Sequence, residues 1–170
     1  MKTRFWTALL AAAALCLVVA VPAAAKDPVR PFGGCSVGVG TGSAPTDCPA
    51  GAFGRYVEEG TGQLLHLGSI HYIVSHCVVM DSPVDGHIVP GGSVTYTAAN
   101  GDTLVMTETS GSFTFDQPMP MTTTSIAEIT WQVAGGTGRF AGATGSGTGA
   151  GVGNMVTGVN VMHFAGTIAY

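Results

Sequence analysis

Residues 69–80 alternate in polarity. Ile70, Tyr72, Val74, Val78 and Met80 fall on one face of an extended chain and Ser69, His71, Ser75 and Cys77 on the other, with His76 the polar member of the apolar face. A period of two is that of a half-buried β-strand. It recurs over 92–99, where Val94, Tyr96 and Ala98 oppose Ser93, Thr95 and Thr97, and over 126–134, where Ala127, Ile129, Trp131 and Val133 oppose Ile126, Glu128, Thr130 and Gln132. A further strand, 103–109, carries Leu104 and Met106 on one face, and the chain ends on another from about 156 to 170 with Phe164, Ile168 and Tyr170 at even positions.

Between the strands of 92–99 and 103–109 stands Asn100-Gly101-Asp102, a hairpin signal. A three-residue loop that pairs Ala98 with Leu104 and Tyr96 with Met106 keeps the apolar sets together, whereas a two-residue loop splits them. Residues 135–153 read GGTGRFAGATGSGTGAGVG, a run for turns, bulges or a sharply coiled strand in which Phe140, Ala143 and Val152 are free to pack. After residue 26, no window of a dozen residues shows helical spacing without a Gly or Pro in it. Seven or eight strands separated by turn signals predict a sandwich or barrel, and the glycine bends favour a closed antiparallel barrel.

The first 25 residues stand apart. Lys2 and Arg4 precede an apolar run from Ala8 to Val21, then Pro22 and three alanines lead to Lys26. This is the layout of a secretory signal peptide cleaved after Ala25, and the run is shorter than the roughly 20 residues of a spanning helix. Cys16, preceded by Leu15 inside the apolar run, leaves with it. The predicted organisation is a signal peptide over 1–25, an extended lead-in over 26–33 that contains Pro28 and Pro31, and a single barrel domain over 34–170 in a secreted, extracellular or periplasmic protein.

Charged residues make up 9% of the chain; without Lys2 and Arg4, four basic residues face ten acidic ones, a net charge of minus six. That balance excludes a nucleic-acid surface. Three cysteines follow the signal, so one pair and one spare are expected. Cys35 with Cys48 closes a short loop and Cys35 with Cys77 ties the first strand to a later one; spacing does not choose.

Chemistry-bearing groups are few. Gly136, Gly138 and Gly142 follow a strand but precede no helix able to aim amides at a pyrophosphate, so no dinucleotide or other cofactor is expected. His66, His71 and His76 recur every five residues, yet along a strand the outer two lie roughly 33 Å apart and His71 faces the other way, so no metal site is expected. Glu58 and Glu59 are adjacent, and only one of them enters an interior. Glu108 and Glu128 stand near strand ends, where solvated rims are usual. Gly145-Ser146-Gly147 is no nucleophile elbow.

Three fragments in order, His66-Leu67-Gly68, AANGD at 98–102 and GGTGRFAGATGSG at 135–147, resemble the bacterial secreted proteins grouped with the allene oxide cyclase and dirigent barrels. The likeness runs from about Phe32 to the end and is most specific at Gly135–Phe140. It implies an eight-stranded barrel with an apolar cavity, and association of copies through barrel faces, which the spare cysteine could reinforce. It carries over no catalytic residue. The expected function is binding of a small apolar or amphipathic molecule, with Tyr72, His76, Tyr96 and Met106 lining the site. The alternatives are a cofactor-independent isomerase or cyclase in which His76, Glu58 or Glu59 moves a proton, and a structural or interaction protein with a filled barrel.

Overall fold

The computed structural model describes residues 28–170, so the signal peptide expected over 1–25 lies outside the described residues. Nine strands follow: β1 (Arg30–Ser43), β2 (Gly54–Leu64), β3 (Gly68–Met80), β4 (Asp85–Ile88), β5 (Ser93–Ala98), β6 (Thr103–Phe115), β7 (Thr124–Gly136), β8 (Thr144–Asn154) and β9 (Val159–Ala169). β1 begins inside the segment read as an extended lead-in. β4 and β5 both lie between β3 and β6, as two halves of one strand interrupted at residues 89–92 by Pro90, which has no amide hydrogen, and by Gly91 at φ 101°. All pairings are antiparallel, and β1 with β9 closes the circle, giving a barrel of eight strand positions. Among the described residues no helix is long and apolar enough to cross a membrane.

The alternation read from the sequence points Ile70, Tyr72, Val74, Val94, Tyr96, Leu104, Met106, Ile129, Trp131 and Val133 inward, all buried. The 92–109 hairpin keeps the apolar sets together but in a register two residues from the expected one: Tyr96 pairs with Leu104 and Val94 with Met106. The loop is Ala99-Asn100-Gly101, closed by the Ala98 amide on the Asp102 carbonyl at 2.9 Å. Gly101 adopts φ 87°, the left-handed last position of a three-residue loop, and that requirement sets the register.

The glycine-rich run resolves into a short 3₁₀ turn, Gly138–Phe140, and then β8. The inward positions of β8 are glycines. A side chain at Gly147 would overlap Trp131, and one at Gly149 would press on Ile129 and Phe164. The bulk of the neighbouring strands therefore fills the lumen over a strand that contributes none. Phe140 and Ala143 pack as expected, whereas Val152 points outward and is 53% exposed. One end of the barrel is stoppered by Phe140, Phe32, Leu64, Leu67 and Ile168, with Tyr170 against Phe140 and the Arg30 guanidinium 4.5 Å above the Tyr170 ring.

The disulfide joins Cys48 to Cys77, neither of the two pairings weighed from the sequence. Cys35 sits on the outer face of β1, exposed and paired with Gln63 and His163, neither strand bringing a thiol to it. The residue 44–53 connection instead folds over the outside of β3, where Cys77 is buried beneath it.

Candidate functional site

The end opposite Phe140 has a different interior. Inward from β2, β3, β6 and β9 come Tyr56, Glu58, Tyr72, His76, Glu108 and Asn160. Glu58 is 5% exposed and Glu108 2%. The Glu58 carboxylate accepts from the Tyr72 hydroxyl at Oε1 and from the Tyr56 hydroxyl at Oε2, the latter at 2.6 Å. Asn160 Nδ2 donates to the Tyr56 oxygen at 2.6 Å. His76 Nδ1 donates to Glu108 Oε2 at 2.8 Å, and the His76 ring stacks on Tyr56 with centroids 5.2 Å apart. The imidazole Nε2 has no protein partner and keeps contact with solvent, the His76 side chain being 10% exposed.

Local backbone features build this cluster. At the inward β1 position Gly38, a Cβ would collide with the Tyr72 hydroxyl and stand 2.8 Å from Glu58 Oε1; at Gly40 it would overlap the Tyr56 phenol. Bare backbone on β1 thus admits both phenols to the carboxylate. Across the barrel, Gly92 closes the break between β4 and β5, and a Cβ there would meet the Glu108 carboxylate and lie 2.6 Å from His76 Cβ. A bulge between Glu108 and Ser110 switches the inward parity of β6, from Leu104, Met106 and Glu108 before it to Gly111 and Phe113 after it. The interrupted strand and the bulge together set Glu108 against His76.

Burial, reinforced by the hydrogen bond to the Glu58 carboxylate, holds the Tyr56 and Tyr72 hydroxyls well above the ordinary phenol value of 10.0. Tyr96 is raised by burial first and by the charges of its neighbours second. Ser36, 1% exposed, lies near the Tyr72 hydroxyl without forming a well-shaped hydrogen bond, and the Trp131 indole nitrogen is buried without a partner. No Lys or Arg enters the lumen among the described residues. The cluster can therefore donate from phenols, accept at carboxylates and exchange a proton at His76 Nε2.

All four residues expected to line a ligand site face the lumen, but they part company there. Tyr72 and His76 belong to the polar cluster, whereas Tyr96 and Met106, each 1% exposed, are packed in the core. That half of the lumen is filled with side chains rather than hollow. Glu58 enters the interior; Glu59 points outward and bonds His71 at 2.8 Å, which removes it as a candidate for lumen chemistry. The three spaced histidines separate: His66 in the β2–β3 turn bonds the Pro31 carbonyl, His71 faces out and His76 faces in.

Tyr56, Asn160 and Glu108 were not among the expected site residues. Glu108 is no solvated rim residue, because the bulge and Gly92 make room for it inside; Glu128 is exposed. The parity of Leu104, Met106 and Glu108 is the signal that finds it. Open hollows occur on the outer face, one of about 670 Å3 over β6 to β9 and one of about 440 Å3 beside Gly33 and Leu65; neither contains a residue of the cluster.

No family model and no curated protein matches the chain. Among solved structures it is similar to the pterocarpan synthase dirigent protein GePTS1, at 11% identity over 85% of this chain and 92% of that one with a TM-score of 0.47. At that level the architecture of this chain rests on its own strand pairing, and nothing of that protein's chemistry passes to it.

Proposed function

We propose that this is a secreted barrel that binds a small amphipathic molecule at the end opposite Phe140. The carrying observation is the burial of Glu58 and Glu108 in the lumen with no basic side chain beyond His76 among the described residues. Buried carboxylates cost several kcal/mol of desolvation before their partners repay it, and the Phe140 end shows that this chain can fill its lumen with aliphatic and aromatic groups instead. Retaining the polar cluster is what a binding site requires and a purely structural barrel does not.

The rim supports the amphipathic class. Phe53, Met119 and Met121, in loops at that end, are 57%, 47% and 65% exposed, so apolar surface is available beyond the polar groups. The Cys48–Cys77 disulfide suits the oxidising compartment that secretion implies. Benzyl alcohol, a ring with one hydroxyl, serves as a minimal probe. In ¹⁵N-detected NMR it is expected to shift the His76 ring resonances saturably, with the shift lost in Glu108→Gln; a linear, non-saturating response would remove this reading.

One observation favours proton transfer as a second reading. Glu108 anchors Nδ1 and leaves Nε2 free and reachable, the arrangement of an oriented general base. The carbon acid 5-nitrobenzisoxazole, whose ring opens on proton abstraction, should react faster with the protein than with its His76→Ala variant. Equal rates would leave binding alone.

A further inference from the structure

The polar cluster of the lumen has already placed its side-chain hydrogens. The Tyr72 and Tyr56 protons both go to the Glu58 carboxylate. Both Asn160 Nδ2 hydrogens are taken, one by the Tyr56 oxygen at 2.6 Å and one by the Gly158 carbonyl at 2.8 Å. His76 gives its Nδ1 hydrogen to Glu108 Oε2, which leaves a lone pair on Nε2. Glu108 Oε1, on a side chain only 3% exposed, accepts no hydrogen bond from any described residue, yet it is not sealed from solvent. Ser36 Oγ and Trp131 Nε1, donors without a partner, are sealed. The capacity left open in the cluster is therefore for accepting, at Glu108 Oε1 and His76 Nε2.

We infer that the amphipathic ligand of this site is a cation, a primary ammonium group on a small apolar body; the assignment rests on the binding reading above. An ammonium carries three donors, no acceptor and one positive charge, the complement of open acceptors beside two carboxylates. Glu58 and Glu108 face at most one positive charge in the lumen, that of a protonated His76. The strand ends around the opening add to the field. Asp81, Asp85 and Asp116 stand there, at the ends of β3, β4 and β6, and Arg55 is the basic side chain at that end. Arg55 bonds the Thr46 and Asp47 carbonyls and the Ser75 hydroxyl, so it neutralises neither buried carboxylate. Arg30 and Arg139 lie over Tyr170 and Phe140 at the other end. A low-dielectric lumen that opens through an acidic rim draws a cation in and repels an anion.

A bare metal ion fits less well. Among the described residues no three His, Cys, Asp or Glu side chains converge as a coordination shell requires, and each Glu58 oxygen is held by a phenol. An organic ammonium needs only one or two acceptors for its head. Its body gains from rings: Phe113 and Phe115, half-buried at the same end of β6 with centroids 5.2 Å apart, offer apolar faces there.

Benzylammonium, benzyl alcohol and benzoate share one ring and differ in charge, so titrating each into the unaltered protein near neutral pH, read at the His76 ring by ¹⁵N-detected NMR, tests this. Benzylammonium is expected to bind roughly tenfold more tightly than benzyl alcohol, charge-assisted hydrogen bonds being the stronger kind, and benzoate is expected not to bind. In Glu58→Gln, which removes one charge and keeps the side chain's shape, the ratio of the first two affinities should fall by about threefold or more. The comparison of the three probes on the unaltered protein stands whether or not that variant folds. Saturable binding of benzyl alcohol with benzylammonium no tighter, or benzoate binding as well as benzylammonium, would overturn the inference and leave the binding reading in place. Non-saturating responses to all three would remove both.

Discussion

Raising the pH beyond 10 is expected to unfold the barrel cooperatively, with tyrosinate appearing in the same step as the loss of structure. Tyr56, Tyr72 and Tyr96 keep their protons in the folded chain well above the ordinary value of 10.0, because burial disfavours the phenolate and the Glu58 carboxylate accepts two of the three hydroxyls. In the unfolded chain they ionise near 10. Above that pH the native state binds more protons than the unfolded one, so the stability contributed by these phenols is complete below pH 10 and drains as pH rises toward the folded values. Each retained proton is worth at most about 1.4 kcal/mol per pH unit, so three of them set an upper limit of about 4 kcal/mol per unit, a large share of the stability of an ordinary domain. Absorbance at 295 nm and near-ultraviolet circular dichroism should therefore change together. Tyr96→Phe should reduce the slope of stability against pH by about a third. Phenolate absorbance from all three at a midpoint of 10 in an intact barrel would contradict the packing described.

What could be read from the chain, and what could not, divides along the range of the interactions. The faces of β3, β5 and β7 were legible because alternation is a local property and Ile70, Tyr72, Tyr96 and Trp131 sit on it. The register of the β5–β6 hairpin was less so, although Gly101 contained the information: a left-handed last loop position moves the closing pair to Ala98 and Asp102. Glu108 continued the parity of Leu104 and Met106, and only the proximity of a strand end argued it away. What makes its burial tolerable, the glycine at 92 and the histidine at 76, comes from two other strands and is invisible along one. Tyr56 and Asn160 meet across the β2–β1–β9 arc, 104 residues apart in sequence, and no pattern in either neighbourhood announces the bond.

The Cys48–Cys77 bridge belongs to that long-range class, and removing it is expected to be the most damaging simple change outside the lumen. It closes a loop of 29 residues, for which chain entropy gives about 3 to 4 kcal/mol of stabilisation. Other contacts hold the same connection: the Phe53 amide bonds the Val78 carbonyl at 2.8 Å, and Arg55 reaches the carbonyls of Thr46 and Asp47 at 3.2 and 3.1 Å. Those at the exposed arginine are weak once the chain beneath is free to move, since each net hydrogen bond in water is worth only about 1 kcal/mol. Cys48→Ala with Cys77→Ala, in a Cys35→Ser background that prevents reshuffling, should lower the melting temperature by about 10 °C and move the urea midpoint without a large change in slope. Reduction of the parent should reproduce the shift. Because Cys77 lies on β3 next to His76 in the chain, loosening there should also broaden the His76 ring resonances before global unfolding. Unchanged midpoints would mean that the connection is held by its hydrogen bonds and that the bridge adds nothing to the stability of the fold.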